Sequence, residues 1–212
     1  MSMPIKILVV EDNLLTRIGV TTLLEGQPDF QIVGQAADGA EGVTRYRTLH
    51  PDIVVTDLRM PGFDGLSLVQ ALVREKPPAR ILVVTHYDGE ENIFRAISAG
   101  ALGYVTKDAA ADSLFEGIRT VARGDRFLPA ELAAKFVARS MSKGLSRREQ
   151  QVLELLHGGL SNKEIAQRLG IADKTIQLYV AAVLNKLGAS TRTEAVFIAL
   201  ERGLLMPARQ GG

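Results

Sequence analysis

Glu11, Asp12, Asp57, Thr85 and Lys107 are the residues of the first 125 whose types and order could do chemistry. Each stands at or just past the end of a short β-rich run. Three carboxylates in one place repel one another unless a cation neutralises them, and hard oxygen ligands with open positions suit Mg²⁺. Mg²⁺ and the Lys107 ammonium would together stabilise charge on a phosphoryl group in transfer. Asp57 would then be the nucleophile that forms an acyl phosphate, and Thr85 would donate a hydrogen bond to its oxygens. One Asp after a strand is ordinary loop chemistry; five such residues in order, each at a strand end, are not.

The elements that must position them are short strands at Ile5–Val10, Phe30–Gln35, Ile53–Thr56, Ile81–Thr85 and Leu102–Val105. Stretches with helical spacing follow them, such as Leu66, Val69, Leu72 and Val73, then Leu114, Ile118 and Val121. Five strands alternating with five helices predict a parallel sheet covered on both faces. In such a sheet functional loops gather at the carboxyl ends of the strands, which brings the five residues to one rim.

Residues 1–125 resemble the receiver domain of bacterial two-component response regulators. The likeness rests on Val10-Glu11-Asp12, on Asp57-Leu58-Arg59-Met60-Pro61-Gly62-Phe63-Asp64-Gly65, on Val83-Val84-Thr85 and on Gly103-Tyr104-Val105-Thr106-Lys107. The resemblance implies a flavodoxin-like doubly wound fold. It implies that Asp57 accepts phosphate from a cognate sensor histidine kinase. Asp12, Asp57 and the backbone carbonyl of Arg59 would hold Mg²⁺ with help from Glu11, Lys107 would pair with the phosphoryl group, and Thr85 and Tyr104 would form the switch. Lys107-Asp108 departs from the Lys-Pro of many members. Arg59 and Tyr87 fall where the family varies, at the lip of the site. A phosphatase with an Asp nucleophile is the competing enzyme reading; such enzymes carry a second Asp two residues on, where this chain has Arg59, so no general acid stands there. No independent enzyme activity is expected.

After Gly124 the pattern changes. Pro129 suits the first position of a helix running to about Ser140, and Ser140–Gly144 reads as a flexible joint. Three capping boxes are expected, Ser146/Glu149, Ser161/Glu164 and Thr191/Glu194, with a further helix starting near Asp173. Ser161–Leu169, the turn Gly170-Ile171-Ala172 and Asp173–Leu187 match a helix-turn-helix, whose second helix enters the DNA major groove. Ile176, Val180, Val183, Leu184 and Leu187 make its inward stripe; Lys174, Gln177, Leu178, Ala181, Ala182 and Asn185 face outward.

Residues 144–205 are similar to the LuxR/NarL-type DNA-binding domain at Leu145-Ser146-Arg147-Arg148-Glu149, Gly159-Leu160-Ser161-Asn162-Lys163-Glu164-Ile165-Ala166, Lys174-Thr175-Ile176, Lys186-Leu187-Gly188 and Arg192-Thr193-Glu194-Ala195. Candidate DNA contacts are Lys163, Lys174, Thr175, Gln177, Leu178, Ala181, Lys186 and Arg192, with Arg147 a further candidate for phosphate, and the resemblance implies a homodimer through the last helix. Ala195, Val196, Ile198 and Ala199 would serve both core and interface. The recognition helix departs from the family, with Gln177 in place of Lys, Tyr179 in place of His, and Ala181 and Ala182 in place of polar residues. Gln177 reading adenine and Leu178, Ala181 and Ala182 touching thymine methyls would favour A·T-rich sites.

Bulk properties agree with this organisation. Hydrophobic residues make up 46% of the 212, enough for buried cores. There is no cysteine, which removes disulfides and thiolate chemistry. His50, His86 and His157 are scattered, and no Gly-rich nucleotide loop is present. Residues 1–125 carry 12 Lys+Arg against 17 Asp+Glu, and residues 144–212 carry 9 against 6, an acidic module joined to a mildly basic one. No apolar run approaches the length of a membrane helix, and Met1–Lys6 does not read as a secretory signal, so a cytoplasmic protein is expected.

The expected architecture is an α/β receiver over 1–125, a linker with a helix over 126–144, an all-α four-helix helix-turn-helix domain over 145–205 and a flexible tail over 206–212. The expected function is phosphorylation-controlled binding to promoter DNA, with dimerisation on phosphorylation. The alternative is a receiver-controlled interaction module whose helix-turn-helix domain binds DNA weakly or not at all. A constitutive DNA binder that ignores phosphate has no support, because every receiver site residue is present.

Overall fold

The computed structural model describes residues 3–75, 78–141 and 144–206. The tail beyond Met206 and residues 142 and 143 of the expected joint lie outside the described residues. The chain divides into two compact units, Met1–Asp88 with Ile93–Ala134, and Gly89–Asn92 with Lys135–Gly212.

Five parallel strands organise the first unit: β1 (Ile5–Val10), β2 (Phe30–Ala36), β3 (Ile53–Thr56), β4 (Ile81–Thr85) and β5 (Gly103–Thr106). Between and after them run α1 (Leu14–Glu25), α2 (Gly39–Leu49), α3 (Gly65–Leu72), α4 (Glu90–Ala99) and α5 (Ala111–Ala122). The strand order is β2-β1-β3-β4-β5, the flavodoxin-like order, which puts its switch point between β1 and β3. The expected doubly wound sheet is therefore the observed one.

Alternation along each strand sends neighbouring side chains to opposite faces. Ile7, Val9, Val55, Leu82, Val84 and Val105 pack with Leu24 of α1 and Leu114, Phe115, Ile118 and Val121 of α5. On the other face Gly42 of α2 lies against Val10 of β1 and Leu68 of α3. Both faces are covered, which is why the strands read as continuous apolar runs. The helices begin where the strand-end loops supply caps: Asn13, Asp38 and Asp64 accept from the backbone N–H of Thr16, Glu41 and Ser67. Each cap contributes about 1 kcal/mol and fixes where its helix leaves the rim.

After α5, Phe127 bridges to Gly103, its backbone exchanging hydrogen bonds with Leu102 and Tyr104. Next comes α6 (Ala130–Met141).

The second unit is built on α7 (Arg147–His157), α8 (Asn162–Leu169), α9 (Asp173–Leu187) and α10 (Arg192–Glu201). Val152, Leu156, Ile165, Ala166 and Ile176 form one cluster, and Leu153, Val183, Leu187, Ala195, Ala199 and Leu205 another. Gly170 ends α8 in the left-handed region at φ 66°, a backbone state open to glycine at little cost, so the chain turns at once into α9.

Ser146/Glu149 and Ser161/Glu164 are complete capping boxes. The third departs from expectation. Thr191 accepts from the Glu194 N–H, but Glu194 Oε2 accepts from Ser190 N at 2.7 Å rather than from Thr191 N. Thr191 is more extended, at φ −133° against −67° for Ser146, which shifts the carboxylate's reach back by one residue.

Glu149 does more than cap. Its Oε2 accepts from Ser146 N at 2.6 Å and from Lys186 Nζ at 2.7 Å, which ties the start of α7 to the end of α9. Burial opposes the charged carboxyl, but the Lys186 and Ser146 hydrogen bonds outweigh it and hold the Glu149 pKa below the usual carboxylate value. The folded carboxyl thus ionises more readily than the unfolded one. Its contribution is full above the unfolded carboxyl range near about pH 4.3 and is lost as pH falls through the lower folded value. Glu149→Gln should cost about 1–3 kcal/mol, read as faster amide hydrogen exchange in α7 and α9, and the difference from the parent protein should shrink as the parent is acidified through that window.

Candidate functional site: an acidic rim and an exposed recognition helix

Strand pairing assembles the rim. Asp57 follows β3, and its N–H donates to Val10 O at 3.0 Å, which sets it beside Glu11 at the end of β1. Thr85 closes β4 opposite Thr106, and Lys107 N donates to Thr85 O at 2.8 Å. The Lys107 ammonium reaches back across the rim to donate to Glu11 Oε2 and Asp57 Oδ2, each at 2.6 Å. Asp57 Oδ1 accepts from Leu58 N at 2.5 Å and from Arg59 N at 3.3 Å. Glu11 and Asp57 are buried, whereas Asp12 is exposed.

Carboxylate oxygens of Glu11, Asp12 and Asp57 all lie within 4.8 Å of one another. That donor set is oxygen-only, anionic and open on one side, which fits a hard divalent cation such as Mg²⁺. Burial raises the Glu11 pKa, the Asp57 charge adds to the rise, and the Lys107 hydrogen bond opposes it. Burial also works against the Lys107 charge, but the hydrogen bonds to Asp57 and Glu11 outweigh it and the Lys107 pKa rises. The ammonium is therefore kept charged and pointed at the carboxylates.

Thr85 is fully buried, and its Oγ1 has no hydrogen-bond partner among the described residues. A buried hydroxyl left unsatisfied costs free energy, so an acceptor arriving at this rim would relieve it. Tyr104 is also fully buried, with its ring inward and its hydroxyl donating to Tyr87 O. Burial, reinforced by the nearby Asp57 charge, pushes its pKa far above the usual phenol value. The Arg59 guanidinium carbon sits 3.9 Å from the centroid of the Tyr87 ring, a cation–π stack of about 0.5–2 kcal/mol. Burial lowers the Arg59 pKa, partly countered by Tyr87, Tyr104 and Asp57. The sequence placed Arg59 and Tyr87 at the lip but carried no sign that they stack or that Tyr104 is tied to them.

Gly65 has a positional role that sequence reading missed. A Cβ there would fall 1.9 Å from Asp57 O, and its N–H donates to Leu58 O at 3.0 Å. The start of α3 therefore lies directly against the backbone that carries Asp57, closer than any side chain allows. Its place in the motif was the one available signal.

In the second unit, Lys163, Lys174, Gln177, Leu178 and Ala181 are exposed and Thr175 is half-buried. Leu178 is 70% exposed. Lys186 is engaged with Glu149 and with Gly144 O, and Arg192 donates to Asn162 Oδ1 at 3.2 Å, so these two cations already have partners within the unit. Gln177 Nε2 donates to Asp173 Oδ2 at 3.3 Å.

Comparison with known proteins agrees with both halves. The response regulator receiver domain family matches residues 7–119, and the luxR family of bacterial regulatory proteins matches residues 143–199. The chain is a LuxR-family response regulator. It is 34% identical over 203 residues to the transcriptional regulatory protein LiaR of Bacillus subtilis, covering 92% of this chain and 96% of that protein. It is 35% identical over 215 residues to the DNA-binding transcriptional activator DevR/DosR of Mycobacterium tuberculosis, covering 98% and 99%. Among solved structures, the response regulator ChrA of a heme-sensing two-component system aligns over 96% of this chain and 100% of its own, with TM-score 0.58 and 33% identity. The RcsB–DNA complex shares the fold, with TM-score 0.70 and 24% identity over 93% of this chain and 98% of that one. The response regulator thus joins a receiver to a LuxR-type DNA-binding domain, and among its described residues no helix is long and apolar enough to cross a membrane.

Two predictions follow from the rim. Gly65→Ala should displace the Asp57 backbone, since no flexible side chain is there to yield; we expect about 1–3 kcal/mol of lost stability by thermal unfolding, with reduced labelling by a small-molecule phosphodonor. Arg59→Ala and Tyr87→Ala should each open the lip to water and shorten the lifetime of a phosphorylated Asp57 several-fold, measured as loss of the phosphoryl group over time; an unchanged rate in both would remove that role.

Proposed function

We propose that this response regulator is phosphorylated on Asp57 by a sensor histidine kinase and that phosphorylation controls its binding to double-stranded promoter DNA. The observation that carries the reading is the Asp57–Lys107 contact beside the orphaned hydroxyl of Thr85. In the transfer step an Asp57 carboxylate oxygen attacks the phosphorus of a phosphohistidine. The O–P bond forms as the P–N bond breaks, and the electron pair stays with the imidazole nitrogen, which then takes a proton. Lys107 supports the charge on the transferred group, and Thr85 Oγ1 gains the acceptor it lacks. Asp12, Asp57 and the Arg59 carbonyl, assisted by Glu11, would hold Mg²⁺, which when bound supplies charge neutralisation between carboxylates and phosphoryl oxygens. The chain is a phosphoacceptor with no further enzyme activity, and loss of its own acyl phosphate by hydrolysis resets it.

Thr85 and Tyr104 form the switch. Phosphate biases the equilibrium only through its different interaction with the two states, and the Thr85 hydroxyl is the group whose satisfaction differs between them. The consequence is a homodimer. Phe197 on α10 is 60% exposed, next to half-buried Val196 and Ile198, which supplies apolar surface for a second copy. Two recognition helices would then meet half-sites about 10 bp apart. A kinase and promoter DNA as partners place the protein in the cytoplasm.

The test is selection from a random duplex pool, comparing the full chain with and without a phosphodonor and Mg²⁺. We expect an enriched motif that strengthens with the donor, and loss of that gain in Asp57→Ala. No enrichment in either state would favour the receiver-controlled interaction module instead.

A further inference from the structure

The outward face of α9 carries an apolar strip that the core does not use. Ile176, Val183 and Leu187 are the residues that α9 buries in the unit's core. Leu178 points away from them at 70% exposure, and one turn on, Ala181 is exposed and Ala182 half-buried. Positions 178, 181 and 182 share one face of a helix, and three to four residues span about 4.5–6 Å along its axis. That is between one and two steps of a DNA strand, which rises about 3.4 Å per nucleotide.

The surroundings of the strip say what covers it. Lys174 is exposed one turn before Leu178 on the same helix, so a cation accompanies the apolar face, as a polyanion requires. One Leu and two Ala offer far too little area for a protein partner, since a stable interface buries about 800 Å² per side and is anchored by large aromatic or Arg side chains. The two alanines instead leave the helix backbone free to approach a flat surface closely. Within the major groove the apolar group that a base edge presents is the thymine 5-methyl.

Resting on the DNA-binding reading, we propose that Leu178, with Ala181 and Ala182, reads thymine 5-methyl groups, and that this apolar contact sets the sequence preference of the response regulator. Gln177, whose amide donates to exposed Asp173, takes the adjoining adenine.

The experiment uses the full chain, treated with phosphodonor and Mg²⁺, and the duplex enriched from the random pool. Each thymine is replaced in turn by deoxyuridine, which deletes the methyl and keeps the base pair. We expect a loss in affinity of about fourfold per contacted methyl, confined to one or two positions in each half-site. In Leu178→Ala, a change at an exposed position, the distinction between thymine and deoxyuridine should be lost at the position that Leu178 covers and kept where Ala181 or Ala182 makes the contact. Tight binding that ignores every deoxyuridine substitution, or a thymine preference that persists undiminished in Leu178→Ala, would overturn this proposal and leave the DNA-binding reading standing. Failure to bind any duplex would overturn both.

Discussion

A single ammonium holds the rim of the receiver together. Lys107 Nζ bridges Glu11 and Asp57 at 2.6 Å each, and without it two buried carboxylates would stand side by side. Breaking a buried charge pair leaves the remaining charge uncompensated, at about 3–5 kcal/mol. The sheet order follows from the same need. β1 and β3 must be neighbours to set Glu11 beside Asp57, and β5 must end level with β4 for Lys107 to reach them. The arrangement is also the chemistry, because a cation that neutralises carboxylates before transfer can neutralise phosphoryl oxygens after it.

Around that contact the chain keeps its polar accounts unevenly. Asp57 Oδ1 is satisfied by two backbone N–H groups, yet the buried Thr85 hydroxyl has no hydrogen-bond partner among the described residues. Tyr104, by contrast, is packed and hydrogen-bonded to the backbone of Tyr87, whose ring carries Arg59. One unsatisfied group beside several satisfied ones is a bistable arrangement in miniature: an acceptor at the rim changes the energy of Thr85 and leaves the rest to follow.

The helical unit uses a similar device for stability. Buried Glu149 caps α7 and anchors Lys186 at the far end of α9, so the orientation of the recognition helix depends on an ion pair as well as on the Val183 and Leu187 contacts. Holding α9 this way frees its opposite face of any structural duty, and Leu178 can stay in water until a ligand covers it.

Much of this was written in the order of residues. The parallel sheet, the rim composition, the inward stripe from Ile176 to Leu187 and the caps at Ser146 and Ser161 follow from local spacing and from the rule that strand ends carry loops, because these depend on neighbours a few residues away. What the sequence left undivided needed three dimensions. It could not sort α10, where Ala195 and Ala199 proved to be core and Phe197 exposed, since a helix this apolar has no single polar face. It gave Glu194 to Thr191, where a more extended backbone hands it to Ser190. It offered Lys186 to DNA without showing Glu149 beneath it, 37 residues away in the chain. It held no trace of the Arg59–Tyr87 stack, and it marked Gly65 only by its place in the motif, not by the 1.9 Å that forbids a side chain there. Backbone geometry sets the nearer of these contacts and packing sets the remote ones, and neither is written in the order of residues.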